Sequence, residues 1–344
     1  MRTTLKQISE ATHLSITIVS QVLNDRPCRV SKENRQLILD TAKEMNYRPN
    51  LVAVSLVKGS TNTIGLAISD IRNNFFSVLA KGVEEECQKN NWNVILCNSN
   101  DKHAKDMDNL RMLADKGANG IIFGMASETT VETAKECIDL MGREQMPYLL
   151  VDRYIEGISD WVVCVDHLHG GRIATKYLLE QGHRHIACIT GPENLLDSEQ
   201  RLQGYREALE ACGLEMDERY IAEGRYTFDS GARAAEELIN RGIHIDAIFA
   251  FNDIMAIGAI KQLRKHGIRI PEDISIIGYD DIFMDEFLDV PLTTIRQPAE
   301  KMGRAAARLL IRREMGRRTG KTPIVFEPEL IKRKSVVRRM PDCF

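Results

Sequence analysis

Two periodicities divide the chain. Over the first fifty residues, apolar positions recur in bursts at helical spacing: Leu5, Ile8 and Ala11, then Val19, Val22 and Leu23, then Leu37, Ile38, Ala42 and Met45 within 32–46. Residues three and four apart share one helix face, so each burst predicts a short amphipathic helix. "THLS" at 12–15 interrupts the first, and Ser15 is placed to cap the second by accepting from an amide of the next turn. With Val19, Val22 and Leu23 turned to a core, Ile16, Thr17, Ser20 and Gln21 lie on the opposite face. From residue 62 the pattern becomes one of short apolar runs: "TIGLAIS" (63–69), "WNVILC" (92–97), "GIIFG" (120–124), "YLLV" (148–151), "HIACIT" (185–190), "DAIFAF" (246–251) and "ISIIGY" (274–279). Amphipathic stretches such as Phe76–Asn90 and Gly170–Gln181 lie between most of them. Strands alternating with helices imply parallel sheets. Seven such strands, with a break near 161–165, predict an α/β fold of two doubly wound lobes behind a three-helix head.

Two short helices about a tight turn, buttressed by a third, are what a helix-turn-helix DNA reader requires. A three-helix docking module has the same pattern. Charge favours the first reading. Residues 1–60 hold nine Lys/Arg and five Asp/Glu, whereas the rest holds 37 basic and 44 acidic residues. A basic head on an acidic body suits a polyanionic partner at the head. The length of 344 residues predicts two or three domains, and 43% hydrophobic residues are ample for a core. No apolar run approaches the roughly 18 residues that span a membrane. "MRTTLKQISE" lacks the apolar core of a signal peptide, so a cytoplasmic protein is expected. The eight cysteines are scattered without a CxxC pair, which predicts reduced thiols and neither a disulfide framework nor a metal cofactor.

The strand tips carry the chemistry. Asp70 and Asn73 with Phe75 and Phe76 follow the first run, and Asp152–Arg153 follow "YLLV". Gly191–Pro192, Asn252–Asp253 and Asp280–Asp281 follow three later ones. Parallel sheets bind ligands at the carboxyl ends of their strands. Carboxylates, amides and a guanidinium gathered there can bond hydroxyls while a Phe ring covers an apolar face, which predicts a cleft for a small polyhydroxy ligand. Other features have plainer readings. His183 and His185 lack a third ligand nearby, Asp280 and Asp281 should point apart as strand neighbours, the Arg-rich helix at 303–318 reads as a surface face, and "KRKSVVRR" (332–339) as a solvated tail.

The 53 residues from Thr4 to Leu56, "TLKQISEATHLSITIVSQVLNDRPCRVSKENRQLILDTAKEMNYRPNLVAVSL", resemble the headpiece and hinge of the LacI/GalR family of bacterial repressors. The resemblance implies that Ile16, Thr17 and Gln21 read base edges and that Thr4, Ser15, Asn24 and Ser31 contact phosphates. It implies that Arg29 reaches the backbone or a base nearby, with Ser20 and Ala53 among the DNA-facing residues. Asn50 leads into a hinge segment that orders when two copies pair on DNA, with Leu56 as a wedge in the minor groove. The sequence departs from the family at His13, a turn glycine there, at Ile18, at Gln21 and at Val54. Gln21 suits adenine better than the guanine read by the family's frequent arginine.

Further along, "IGLAISDIRNNFF", "LLVDR", "GHRHIACITGP", "RLQGYREAL", "FNDIMAIGA", "PEDISIIGYDD" and "PLTTIRQP" resemble the family's effector domain, which shares its fold with periplasmic sugar-binding proteins. Matched motif by motif, the implied sugar contacts are Asn73, Phe75, Phe76, Asp152, Arg153, Arg201, Asn252, Asp280 and Gln297, with Tyr226 as a stacking aromatic. The set is most similar to ribose regulators. The expectation is a headpiece at 1–47, a hinge at 48–61 and a core at 62–340, with an N-lobe of about 62–161 and 293–323 and a C-lobe of about 164–290 and 325–340. Its expected partners are a palindromic operator, a ribose-like sugar and a second copy of the chain as homodimer or tetramer. A phosphoprotein or purine co-regulator, and a sugar-processing enzyme with a DNA-binding head, are the alternatives.

Overall fold

The computed structural model describes residues 3–48, 60–320 and 322–339. The hinge expectations at Asn50, Ala53, Val54 and Leu56 lie outside the described residues. The chain divides into two compact units, 1–61 and 62–344.

Among its described residues the first unit holds three helices, α1 (Leu5–Thr12), α2 (Ile16–Leu23) and α3 (Lys32–Glu44). Each begins at a hydroxyl side chain. Thr4, Ser15 and Ser31 accept from the amides of Gln7, Ile18 and Asn34, and Thr4 forms a reciprocal capping box with Gln7. His13 takes the left-handed conformation that ends α1, with φ of 55°. Ile8, Val19, Val22, Ile38 and Ala42 are buried together, with Leu5, Leu14, Leu23, Met45 and Tyr47 against them. Two details differ from the periodic reading. Leu37 is 45% exposed, since the stripe runs through Ile38, Ala42 and Met45 and each helical residue turns by about 100°. In α1 it is Thr12 that turns inward and Ala11 that stays exposed, the Thr12 hydroxyl donating to the Ile8 carbonyl at 2.8 Å.

The second unit is built on two six-stranded sheets. The first takes β1 (Thr63–Ile68), β2 (Asn93–Asn98), β3 (Gly120–Phe123), β4 (Tyr148–Val151), β5 (Val162–Val165) and β11 (Ile324–Phe326), in spatial order β11-β5-β4-β3-β1-β2. The second takes β6 (Ile186–Thr190), β7 (Ile221–Glu223), β8 (Ala247–Ala250), β9 (Ser275–Asp280), β10 (Thr293–Arg296) and β12 (Glu329–Ile331), in order β12-β10-β9-β8-β6-β7. All pairings are parallel except β10 with β12. Helices α4 (Asn74–Lys89), α5 (His103–Asp115) and α6 (Val131–Arg143) follow β1, β2 and β3. Helix α7 (His167–Glu180) follows β5, while α8 (Leu196–Glu210), α9 (Phe228–Asn240), α10 (Asp253–Lys265) and α11 (Ala299–Glu314) follow β6, β7, β8 and β10.

The lobe boundaries shift from those expected. The break near 161–165 is itself the buried strand β5, and 293–296 joins the second sheet rather than the first. Residues 324–326 return to the first sheet. The chain therefore changes lobes after β5, after β10 and between β11 and β12. Strand β10, "TTIR", has too little apolar content to announce itself, but parallel pairing with β9 buries both threonines.

The Arg-rich helix starts earlier than expected and buries one face. Met302, Ala306, Ala307 and Leu310 join the core, and a Cβ on Gly303 would sit 2.1 Å from the Leu79 carbonyl oxygen, so α11 lies directly on α4. Its arginines pair across that contact, Arg304 with Glu85 at 2.5 Å and Arg308 with Glu86 at 3.0 Å. The basic run at 332–339 is not a solvated tail. Arg333 bonds Asp281 at 2.6 Å, the Ser335 hydroxyl donates to the Ile276 carbonyl at 2.6 Å, and the Arg339 amide donates to the Gln181 carbonyl at 2.7 Å. His183 is also structural, fully buried with Nε2 3.1 Å from the Val337 carbonyl and Nδ1 3.4 Å from Asp246.

Candidate functional site

The carboxyl ends of both sheets meet at one small cavity. It is lined by Asn73, Phe75 and Phe76 at the start of α4, Asp152 and Arg153 after β4, Arg201 on α8, Tyr226 after β7, Asn252 after β8, Asp280 at the tip of β9 and Gln297 after β10. The fold thus brings together all ten residues singled out by resemblance.

Local structure fixes most of these side chains. Asn73 Oδ1 accepts from the Phe75 amide and Asn252 Oδ1 from the Met255 amide, so both asparagines cap the helices they precede. Gln297 Nε2 donates to Asp280 Oδ1 at 2.6 Å, which ties a lobe crossing to the tip of β9. Asp152, Tyr226, Asp280 and Asp281 hold φ of 62°, 57°, 119° and 59°, a region that non-glycine residues seldom occupy. Such strain clusters where side chains must be aimed at one point. Asp281 turns away, to Arg296 and Arg333 at 2.6 Å each.

Two guanidinium groups organise the charge. Arg153 bonds Asp101 at 2.5 Å, and its guanidinium lies 5.4 Å from the Phe76 ring and 5.8 Å from that of Tyr226. Arg201 donates to the Phe251 carbonyl at 2.5 Å and sits 3.9 Å from the Tyr279 ring centroid. Burial pushes Asp152 up to about 7, helped by the charge of Asp197 and opposed by Arg153 and Arg201. For Asp197 burial also favours the neutral acid, but Arg201 and Arg153 outweigh it and its carboxyl lies below the usual range. Asp280 is held well above the ordinary value, by burial first and then by Asp253. Asp253 is fully buried, accepting from the Thr294 hydroxyl at 2.6 Å and the Ile282 amide at 3.1 Å, so it anchors the loop behind Asp280.

Sequence reasoning missed three residues here. Asp197 lines the cavity itself. His167 and Tyr279 back it: His167 Nδ1 lies 3.2 Å from the Tyr279 hydroxyl and 3.3 Å from Arg201 Nη2. Burial, then the neighbouring Arg201 charge, pushes His167 down to about 3, so its ring is neutral and Nδ1 is free to accept. The i, i+4 spacing of Asp197 and Arg201 was the one legible signal.

In the first unit, Ile16 and Thr17 are exposed at the start of α2, Ile16 at 48%, and Ser20 and Gln21 are half-buried one turn on. Asn24 ends α2 with Nδ2 donating to the Ser20 carbonyl at 2.7 Å. Arg29 is exposed in the loop before α3. Thr4, Ser15 and Ser31, expected at phosphates, are the three N-caps. Helix N-termini present free amides and a positive dipole end, which suits anions.

A three-helix head with an exposed second helix, followed by two lobes closing on a polar cavity, defines a ligand-sensing DNA-binding protein. Residues 175–336 match the periplasmic binding protein-like domain family. The HTH-type transcriptional regulator DegA of Bacillus subtilis is 35% identical over 335 residues, 97% of this chain and 98% of that protein. The HTH-type transcriptional repressor PurR of Vibrio atlanticus is 35% identical over 333 residues, again 97% and 98%. Among solved structures, the Lac repressor dimer bound to operator and the anti-inducer ONPF superposes with a TM-score of 0.87 at 25% identity, covering 98% of this chain and 100% of that one. A LacI family regulator from Enterococcus faecium with bound ribose gives 0.71 at 31% identity, covering 81% and 100%. This chain belongs to the LacI/GalR family of transcriptional regulators.

Proposed function

We propose that this protein is a cytoplasmic, dimeric or tetrameric repressor whose hold on a palindromic operator is set by a small sugar, ribose or a related monosaccharide. The observation that carries the reading is the convergence of the ten residues on one small cavity. Two carboxylates, two guanidinium groups and three amides can bond the hydroxyls of one ring, while Phe75, Phe76 and Tyr226 cover its apolar faces. Likeness to the enterococcal regulator with bound ribose supports this. A sugar touching residues of both sheets changes the relative stability of lobe arrangements. Its effect on DNA binding equals its differential affinity for the two states, commonly about 1–3 kcal/mol. Release from DNA is the expected direction. At the head, Ile16, Thr17 and Gln21 would read base edges while the capped helix ends and Arg29 hold phosphates.

A second reading, a purine effector, draws on the likeness to repressors named PurR. Thermal unfolding of the purified protein against D-ribose, other pentoses, hexoses and purines separates the two. A ligand at about 100 times its Kd adds roughly 2.7 kcal/mol to a native state it alone binds. A saturable shift with ribose supports the sugar reading. A shift with a purine alone replaces it, and no shift with either brings the phosphoprotein co-regulator forward.

A further inference from the structure

We propose that Asp197, absent from the set that resemblance implies, is a specificity-determining residue that accepts a hydrogen bond from one hydroxyl of the bound sugar. The inference rests on the sugar reading of the cavity and assigns one more recognition contact within it. Asp197 lines the cavity and is 7% exposed. Its two oxygens differ. Oδ2 accepts from the Tyr226 hydroxyl at 2.6 Å, whereas Oδ1 has no hydrogen-bond partner among the described residues. A buried carboxylate oxygen left without a donor is costly, so a ligand that supplies an O–H there gains what the protein alone leaves unmet.

Arg201 accounts for the charge of Asp197 but not for its hydrogen bonding. The nearest Asp197–Arg201 approach is 3.7 Å, beyond a hydrogen bond, and Arg201 already meets the Phe251 carbonyl, His167 and the Tyr279 face. Tyr226, by contrast, is built to hold Asp197. Its backbone sits at φ 57°, its carbonyl accepts from Asn252 Nδ2 at 3.3 Å, and its ring passes over Gly191, where a Cβ would lie 2.3 Å from it. The orphan oxygen is an acceptor, and so is the other one among the lining residues, Gln297 Oε1. Both orphan oxygens therefore ask for a donor from the ligand.

The test is isothermal titration of the full-length wild type, Asp197→Asn and Tyr226→Phe with D-ribose and its 2-, 3- and 5-deoxy analogues. Asp197→Asn should weaken ribose binding roughly 10- to 150-fold, the range for a hydrogen bond to a charged group. For one deoxy analogue, which lacks the partner hydroxyl, the same replacement should change Kd far less. Tyr226→Phe leaves the carboxylate but frees it, and should give the same hydroxyl-selective pattern at smaller size. It serves alone if the Asn variant does not fold. An equal loss for ribose and every analogue would assign Asp197 a structural role and overturn the proposal. Ribose binding that Asp197→Asn leaves unchanged would also overturn it while sparing the sugar reading. A wild type that binds neither ribose nor its analogues would overturn both.

Discussion

Replacing Asp152 by Asn should stabilise the unliganded protein while removing sugar binding, and the gain should depend on pH. The Asp152 carboxyl is 7% exposed, faces the charge of Asp197, and has His167 Nε2 no nearer than 3.8 Å. Arg153 and Arg201 offset only part of this, and the group is pushed up from 3.8 to about 7. Between those values the folded chain keeps a proton that the unfolded chain has lost, so this group's contribution falls as pH rises from about 4 to about 7 and is level above. Roughly three units at 1.36 kcal/mol each give a ceiling of about 4 kcal/mol. Asn carries no such proton, so the stability difference between variant and wild type should widen in favour of the variant across that window. Thermal unfolding of both proteins at pH 4.5, 6 and 8 without ligand measures it, with a relative rise of several degrees expected by pH 8. A difference that stays constant from pH 4.5 to 8, or that moves against the variant, refutes the reasoning. At pH 8 ribose should raise the melting temperature of the wild type only, because the amide cannot accept at both positions of the carboxylate.

Other outcomes follow from the same structure. Ile38→Ala, at the fully buried centre of the head, should cost about 2–5 kcal/mol there. Operator binding should then fall at 37 °C while ribose titration is unchanged. Gln21→Ala should weaken binding to duplexes selected from a random library by about 1–3 kcal/mol per lost bidentate base contact, with non-specific DNA affinity unaltered in a mobility assay. Leu56→Ala should reduce operator affinity and leave ribose Kd intact; an unchanged operator affinity removes the wedge. Gly303→Ala places a Cβ 2.1 Å from a backbone oxygen and should lower stability by about 1–3 kcal/mol in urea unfolding as α4 and α11 are pushed apart.

Much of this protein was legible in one dimension because its strongest signals are local. The two hydrophobic periods separate a helical head from an α/β body, and the hydroxyl residue before the second apolar burst marked a helix start at Ser15. The seven apolar runs correspond to β1–β4, β6, β8 and β9; all but the edge strand β2 are buried on both faces, which requires near-continuous apolar residues. The ten cavity residues were reached through the resemblance; those after β1, β4, β8 and β9 stand at strand tips that the apolar runs predict, whereas Arg201 lies on α8 and Tyr226 and Gln297 follow strands that the pattern does not show. Tertiary structure alone decided the rest. Strands β5, β7, β10, β11 and β12 have three or four residues each. Too short or mixed to carry a period, they exist because a neighbouring strand offers a ladder. That is why the lobe crossings moved and why "KRKSVVRR" became a packed segment. Asp197 and Tyr226 are 29 residues apart, and only the packing of β6, α8 and β7 brings that hydroxyl to that carboxylate. The protonation of Asp152 is likewise a property of the closed cavity, because neither its burial nor the charge of Asp197 beside it exists until both sheets are formed.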